Sequence, residues 1–413
     1  MRAKHPLLRD LPKNSKTCIL VEPLWAVFGG TIAYYAPLYQ QALGLTAIEM
    51  GAVVSINFGF SFAFMLLGPA ITNRLGRRRT SLLFDIVAWT IPMALWSLST
   101  SFAWFAVTAA LNAVVKIVVV SWNLLLSEDA SEADRARVYG WINLSGSPAG
   151  IFTFLGGLLI ARFGTVAAMR WIYAAGALSM TAMFFLRYAF TQETANGKVM
   201  MAATRGEPLL KGLLGLLKLS ATGLRDRRFL RFLAIYFATN AVQSFDFYRI
   251  LFLTEEKALD QVSIALIPAI GAAVTLAAFL SMRRLSKRSD IAVLAGASLL
   301  CIASQAALVL MPRGGTIWAL AATGALQWGL FLAATHRDSA FMNSVAEIRK
   351  SDYFGLVQAL TLLLCVPTGA FAGWLYSRSP AAPMIAAVLL YALSLGSAAR
   401  ISAARRRAPE APL

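Results

Sequence analysis

Charge is scarce in this chain, and histidine is nearly absent. Of 413 residues, 14% are Asp, Glu, Lys or Arg and 58% are hydrophobic, whereas a soluble domain carries about 25% charged residues. So few charges cannot cover a water-facing surface, so most of the chain sits in lipid or packs against segments that do. The two histidines, His5 and His336, and three cysteines, Cys18, Cys301 and Cys365, lie far apart. They form neither a metal-ligand spacing nor a disulfide framework. No nucleophile motif or phosphate-binding glycine loop is present. These absences argue against an enzyme, a metal site and a cofactor.

Acidic residues are also few, 20 against 38 basic, giving a net charge of +18. The basic residues fall in short loops between apolar runs, which is how a membrane protein fixes its orientation. Nucleic acid is therefore not an expected partner. The basic start precedes a long apolar run that contains Glu22-Pro23 and lacks a small-residue cleavage pattern. It reads as a spanning segment and not as a signal peptide.

Apolar runs of about 20 residues, the length of a membrane span, fall at 17–40, 48–67, 81–99, 102–126, 138–161 and 167–190. Six more fall at 229–254, 263–282, 291–311, 317–337, 353–377 and 382–401. The expected fold is an all-α polytopic membrane protein of twelve transmembrane helices. One set of loops holds the N-terminal tail, residues 74–79, Arg135, Arg137, the central linker, residues 283–288, Arg349, Lys350 and residues 405–407. The opposite set holds only Arg162, Arg170, Lys257, Arg313 and Arg378. That asymmetry places both termini and the linker in the cytoplasm.

Polar matches recur at a constant offset of 215: Asn112 with Gln327, Glu132 with Glu347, Tyr139-Gly140 with Phe354-Gly355, Asn143 with Gln358. Gly157 and Arg162 match Gly373 and Arg378 one step later. They predict a duplicated six-helix unit, with an N-terminal half over 1–190, a linker over 191–228 and a C-terminal half over 229–413. Within the linker, Leu210, Leu213, Leu214 and Leu217 recur at helical spacing beside Lys211 and Lys218. This is a short helix on the inner membrane face, or alternatively a protein-binding amphipathic helix.

The loop between the second and third runs reads Gly68-Pro69-Ala-Ile-Thr-Asn73-Arg74-Leu75-Gly76-Arg77-Arg78. With twelve spans in a six-plus-six duplication, it resembles the major facilitator superfamily, whose loop motif is Gly-x-x-x-Asp-Arg-x-Gly-Arg-Arg. Asn73 stands where the acid belongs, and Pro69 where the first glycine does. The resemblance implies a secondary transporter working by alternating access. It assigns Asn73, Arg74, Gly76, Arg77 and Arg78 to a conformational loop whose acid braces the two halves. Asn73 brings no full charge, so a weaker brace is expected. Gly146-Ser-Pro148-Ala-Gly150 and Gly156-Gly157 hold the elements of a drug-antiporter signature at the wrong spacing. Close helix packing explains Gly146/Gly150 and Gly369/Gly373 better.

Ionisable groups inside spans are costly and point to function. Hydropathy alone singles out Glu22, Asp85, Lys116, Asp246 with Arg249, and His336-Arg337-Asp338. The resemblance implies that spans 1, 4, 7 and 10 line a central cavity, and nearly all of these charges fall on them. Depth puts Glu22 within reach of Lys116, and Asp246 and Arg249 three apart on one helix face. Glu22 or Asp246 reads either as a proton-accepting carboxylate set by Lys116 or Arg249, or as a neutralised pair joining helices. For Asp85 a packing role is favoured. Arg337 and Asp338 suit an inner gate, a solvated helix end or a substrate contact. Tyr34, Trp122 and Trp328, with Asn112, Asn240, Gln243 and Gln327, suit a cavity that stacks on and hydrogen-bonds an organic solute.

The resulting expectation is a monomeric carrier in the cytoplasmic membrane, whose partners are a small organic solute, protons and membrane lipids. Efflux of an amphiphilic or drug-like compound is favoured over nutrient uptake. The alternative on the same fold is a lipid or lysolipid flippase, with a cavity open sideways and Arg249 or Arg337 meeting the headgroup.

Overall fold

A proline one residue after a glutamate shapes the first span. Pro23 has no N–H to donate and starts a new helix, so the chain bends by 45° between α1 (Lys13–Val21) and α2 (Pro23–Ala42). The computed structural model describes residues 11–146, 149–205, 223–285, 289–346 and 350–407, and every regular element among them is helical. The linker helix expected at 209–219 lies outside the described residues.

Next come α3 (Ala47–Leu75), α4 (Arg77–Leu98), α5 (Phe102–Ser127), α6 (Glu132–Gly146), α7 (Ala149–Phe163), α8 (Thr165–Phe190) and α9 (Ala195–Ala203). After the linker stand α10 (Arg227–Asp246), α11 (Gln261–Leu285), α12 (Asp290–Leu310), α13 (Thr316–Met342), α14 (Lys350–Arg378) and α15 (Ala382–Arg407). Helix α3 opens on a reciprocal cap: Thr46 Oγ1 accepts the Glu49 N–H at 3.3 Å, and the Glu49 carboxylate accepts the Thr46 N–H at 2.8 Å.

Pro92 widens α4 into a π-turn over Ile86–Thr90. The carbonyl that Pro92 cannot serve, that of Ala88, instead accepts the Asn112 side-chain N–H at 2.8 Å.

Among the described residues, nine helices are long and apolar enough to cross a membrane, or ten with α1 and α2 taken as one bent span. The expected fifth span falls on α6 and α7, which flank residues 147–148, outside the described residues. The expected seventh is diluted by Arg227, Arg228, Arg231 and Asp246 in α10, then continues as Arg249–Leu251 and a π-turn, Phe252–Glu256. The outward faces suit hydrocarbon: Leu178, Leu310 and Leu389 are 76%, 82% and 66% exposed.

Helices α1–α8 pack among themselves, as do α10–α15, and the two sets meet chiefly along α3 against α14 and α7 against α11. Small residues permit these approaches. A Cβ on Gly150 would overlap Ala272, and one on Gly373 would overlap the Ala47 carbonyl. Gly146, by contrast, has open space around it.

Candidate substrate cavity

The two sets of helices are joined at the end remote from α9 and the linker. There the Tyr248 hydroxyl donates to the Ala47 carbonyl at 2.7 Å, and the Ala370 N–H to Ser55 Oγ at 2.8 Å. Tyr34 donates to the Ile264 carbonyl at 3.1 Å. Glu255 accepts from Tyr376 at 2.7 Å and also from Gln41. Tyr248 and Tyr376 stack at 5.0 Å beneath these bonds. The far end is therefore shut by bonds that cross from one set to the other.

Behind this seal lies a cavity of about 1010 Å³ between α2 and α7 on one side and α11 and α13 on the other. Its inner part is formed by Tyr34, Thr153, Arg249, Thr323 and Gln327, with Gln327 donating to Thr275 Oγ1 at 3.2 Å. From there it runs toward the linker end, past Trp141 and Arg137 of α6 and Leu276, Phe279 and Leu280 of α11. The last three are 42%, 42% and 70% exposed, so this wall is continuous with the outer apolar surface. Volume and lining are those of a small-molecule site: mainly apolar walls with a few converging polar groups.

Of the residues singled out from sequence, Tyr34, Arg249 and Gln327 come together here. Arg249 pairs with Asp246 on its own helical face. Around the pair lie Tyr391 of α15, Cys301 of α12 and Tyr34. Asp246 Oδ1, Arg249 Nε and the Tyr391 hydroxyl are buried without a hydrogen-bond partner.

The other candidates are placed elsewhere. Glu22, at the bend between α1 and α2, has Arg187 and Asp85 as its charged neighbours, not Lys116, which stands half-buried on α5. Asp85 and Arg187 form an ion pair between α4 and α8, each side chain 4% exposed. Asn112 bridges α5 to the Ala88 carbonyl rather than lining the cavity. Trp122, like Trp141, packs on the cluster around Cys18, and Trp328 on the cluster around Phe229 and Phe341. Asn240 donates to the Tyr236 carbonyl one turn back at 2.9 Å, while Gln243 is exposed.

At the linker end of α13, Asp338 accepts from Tyr236 at 2.7 Å and from Arg337 Nε at 2.8 Å. Arg337 also reaches Thr239 at 2.7 Å and lies 4.4 Å over the Tyr236 ring. His336 meets Asp290 at 2.8 Å. These groups tie α10, α12 and α13 together.

The basic loop is bound into its own set of helices. Arg77 forks onto Glu128 at 3.1 and 3.2 Å and reaches Asn73 Oδ1 at 3.3 Å. Glu193 accepts the Arg77 and Arg78 N–H groups at 2.9 and 3.1 Å, placing a carboxylate at the N-terminus of α4. Arg78 lies 3.8 Å over the Tyr188 ring. Asn73 accepts from Thr204 through its carbonyl at 3.3 Å. Among the described residues the partners of Asn73 are Arg77 and Thr204 of the linker, and neither belongs to the second set of helices.

Sequence reading passed over Arg187, although it is a charge inside an apolar run. It also missed the lining threonines, of which Thr323 leaves a trace: it lies one helical turn from Gln327 on a helix that is otherwise apolar there.

Similar architectures occur among solved structures. The nucleoside transporter NupG superposes with a TM-score of 0.70 at 13% identity, covering 95% of this chain and 99% of that one. A bacterial homolog of the human lysosomal transporter Spinster, in an inward-facing and unoccupied conformation, gives 0.69 at 16% identity over 95% and 96%. A D-xylose–proton symporter gives 0.68 at 12% identity over 93% and 96%. At such identities the likeness is one of fold. No curated protein matches the sequence. The sequence model of the Major Facilitator Superfamily does match, over residues 24–351. With that match running through both sets of helices, the chain belongs to the major facilitator superfamily and is a membrane transporter.

Proposed function

We propose that this transporter is a secondary carrier of an amphiphilic organic solute, driven by protons in the direction of efflux across the cytoplasmic membrane. Twelve spans, cytoplasmic termini and two six-helix halves that rock about the cavity belong to this reading. The observation that carries it is the cavity of about 1010 Å³, lined from both sets of helices and, among the described residues, sealed by hydrogen bonds at the far end. With the linker end in the cytoplasm, this conformation is open inward. The apolar wall of Leu276, Phe279 and Leu280 supports an amphiphilic cargo, and its continuity with the outer surface supports a lipid or lysolipid as the second reading. Asp246 is the preferred proton carrier, because its arginine faces the cavity; Glu22 is the alternative.

The test is transport of an amphiphilic dye in proteoliposomes with an imposed pH gradient. Accumulation should follow the gradient and lose that dependence in Asp246→Asn. Transport that ignores the gradient, and survives both Glu22→Gln and Asp246→Asn, rules out proton coupling. Flipping of a fluorescent lipid without dye transport favours the second reading.

A further inference from the structure

Every charged residue in the described lining of the cavity is a cation. Among the described lining residues, Arg249 stands at the inner end and Arg137 toward the linker end, with no aspartate or glutamate between them. The carboxylate partners of both arginines lie outside the lining: Asp134 beside Arg137 at 2.9 Å on an exposed turn, and Asp246 behind Arg249. A low-dielectric cleft with this lining concentrates anions and repels cations.

The inner pair is also incompletely satisfied. A guanidinium offers two parallel N–H groups that fit the two oxygens of a carboxylate, sulfonate or phosphate. Here one terminal nitrogen holds Asp246 Oδ2, while the adjacent Nε is buried without a partner. Asp246 Oδ1 and the Tyr391 hydroxyl are orphaned beside it. Three unmet polar atoms around one ion pair describe a pair poised to exchange partners.

Resting on the proton-coupled carrier reading above, though not on its efflux direction, we infer that the cargo is an amphiphilic anion whose acid group takes the Arg249 fork from Asp246, and that Asp246 then carries a proton, so that anion and proton move together and an inward proton gradient drives uptake. A carboxylate left unpaired in this interior is costly, and taking a proton from cavity water removes the cost. The net charge at the site is unchanged: one anion and one proton enter together. Protonated Asp246 can donate to the Tyr391 hydroxyl. Among the described residues the other titratable groups facing the pair are Cys301 of α12 and Tyr34 of α2, with no second carboxylate among them. The apolar tail lies along α11 from Ile267 to Leu280, a run of about 20 Å at 1.5 Å per residue.

The full chain in lipid nanodiscs is titrated with 8-anilinonaphthalene-1-sulfonate, an amphiphilic anion, and with tetraphenylphosphonium, an apolar cation, against empty discs. The anion should bind saturably and the cation should not. In unbuffered solution, wild-type protein should take up about one proton per anion bound. Arg249→Gln should weaken anion binding by roughly tenfold or more. Asp246→Asn should bind the anion without proton uptake. Preference for the cation, or anion binding that leaves Arg249→Gln unaffected, overturns the inference and leaves the carrier reading standing. Anion binding without proton uptake by wild-type protein overturns the exchange of partners. Failure of both probes to bind removes the amphiphile carrier as well. Should Arg249→Gln fail to fold, the probe pair and the proton count on wild-type protein decide the matter.

Discussion

Gly51 of α3 and Gly369 of α14 face each other so closely that a methyl group on either would overlap the other's carbonyl oxygen. The far-end seal passes through this pair, with the Tyr248 and Ser55 hydrogen bonds on either side of it. Gly369→Ala should therefore hold the two sets of helices apart at that end. An overlap with backbone costs about 1–3 kcal/mol, enough to shift the populations of the two conformations by roughly fivefold or more. Spin labels at the exposed Ala42 and Ser379 should report a longer far-end distance in the variant. An unchanged distance distribution would show that this contact does not govern closure.

The Asp85–Arg187 pair lies within one set of helices and away from the cavity. Removing either partner leaves a buried charge alone, at a cost of about 3–5 kcal/mol, while replacing both with apolar residues is often neutral. Asp85→Leu and Arg187→Met should each lower the thermal unfolding midpoint strongly, and the double variant should recover most of the loss. Equal losses in all three would mean that the pair is not what these residues contribute.

Asn112→Ala strips the Ala88 carbonyl of the donor that replaces the one missing at Pro92. A buried acceptor left unmet costs about 1–3 kcal/mol. Thermal stability should fall by that order while solute affinity stays at the wild-type value. A loss of affinity at full stability would return Asn112 to the cavity.

In the basic loop, Asn73→Asp adds a charge-assisted contact to Arg77, now 3.3 Å from Asn73 Oδ1. Arg77 already holds Glu128, so the gain should stay below about 1 kcal/mol. Because neither described partner of Asn73 belongs to the second set, the population open at the linker end should not change. A population shift measured by the same spin labels would reveal bracing in a conformation other than this one.

Gly76 has φ +84°, where a side chain is strained, and a Cβ there would overlap Glu193. Gly76→Ala should cost more than about 1 kcal/mol and loosen the carboxylate that caps α4. The fall in thermal midpoint should be smaller when Glu193→Ala is added, because the overlap with Glu193 is then gone while that with Met201 Sδ and the backbone strain remain.

The sequence by itself determined what depends on composition and short range. Lipid is the solvent, because too few charges exist to face water. The Asp246–Arg249 pair was legible for the same local reason, since residues three apart share a helix face. The break at Pro23 was not anticipated, although its cause is local.

Only the tertiary structure decided which distant groups meet. Arg187 finds Asp85 across 102 positions, and Tyr248 finds Ala47 across 201. Glu22 turns toward the first of these pairs and away from Lys116, while Asn112 turns to a carbonyl exposed by a proline on another helix. Helix rotation and tilt, set by glycine contacts and side-chain packing over the whole bundle, select the face each polar residue presents. That selection leaves a cavity whose charged lining, among the described residues, is Arg137 and Arg249, with their carboxylate partners outside the lining.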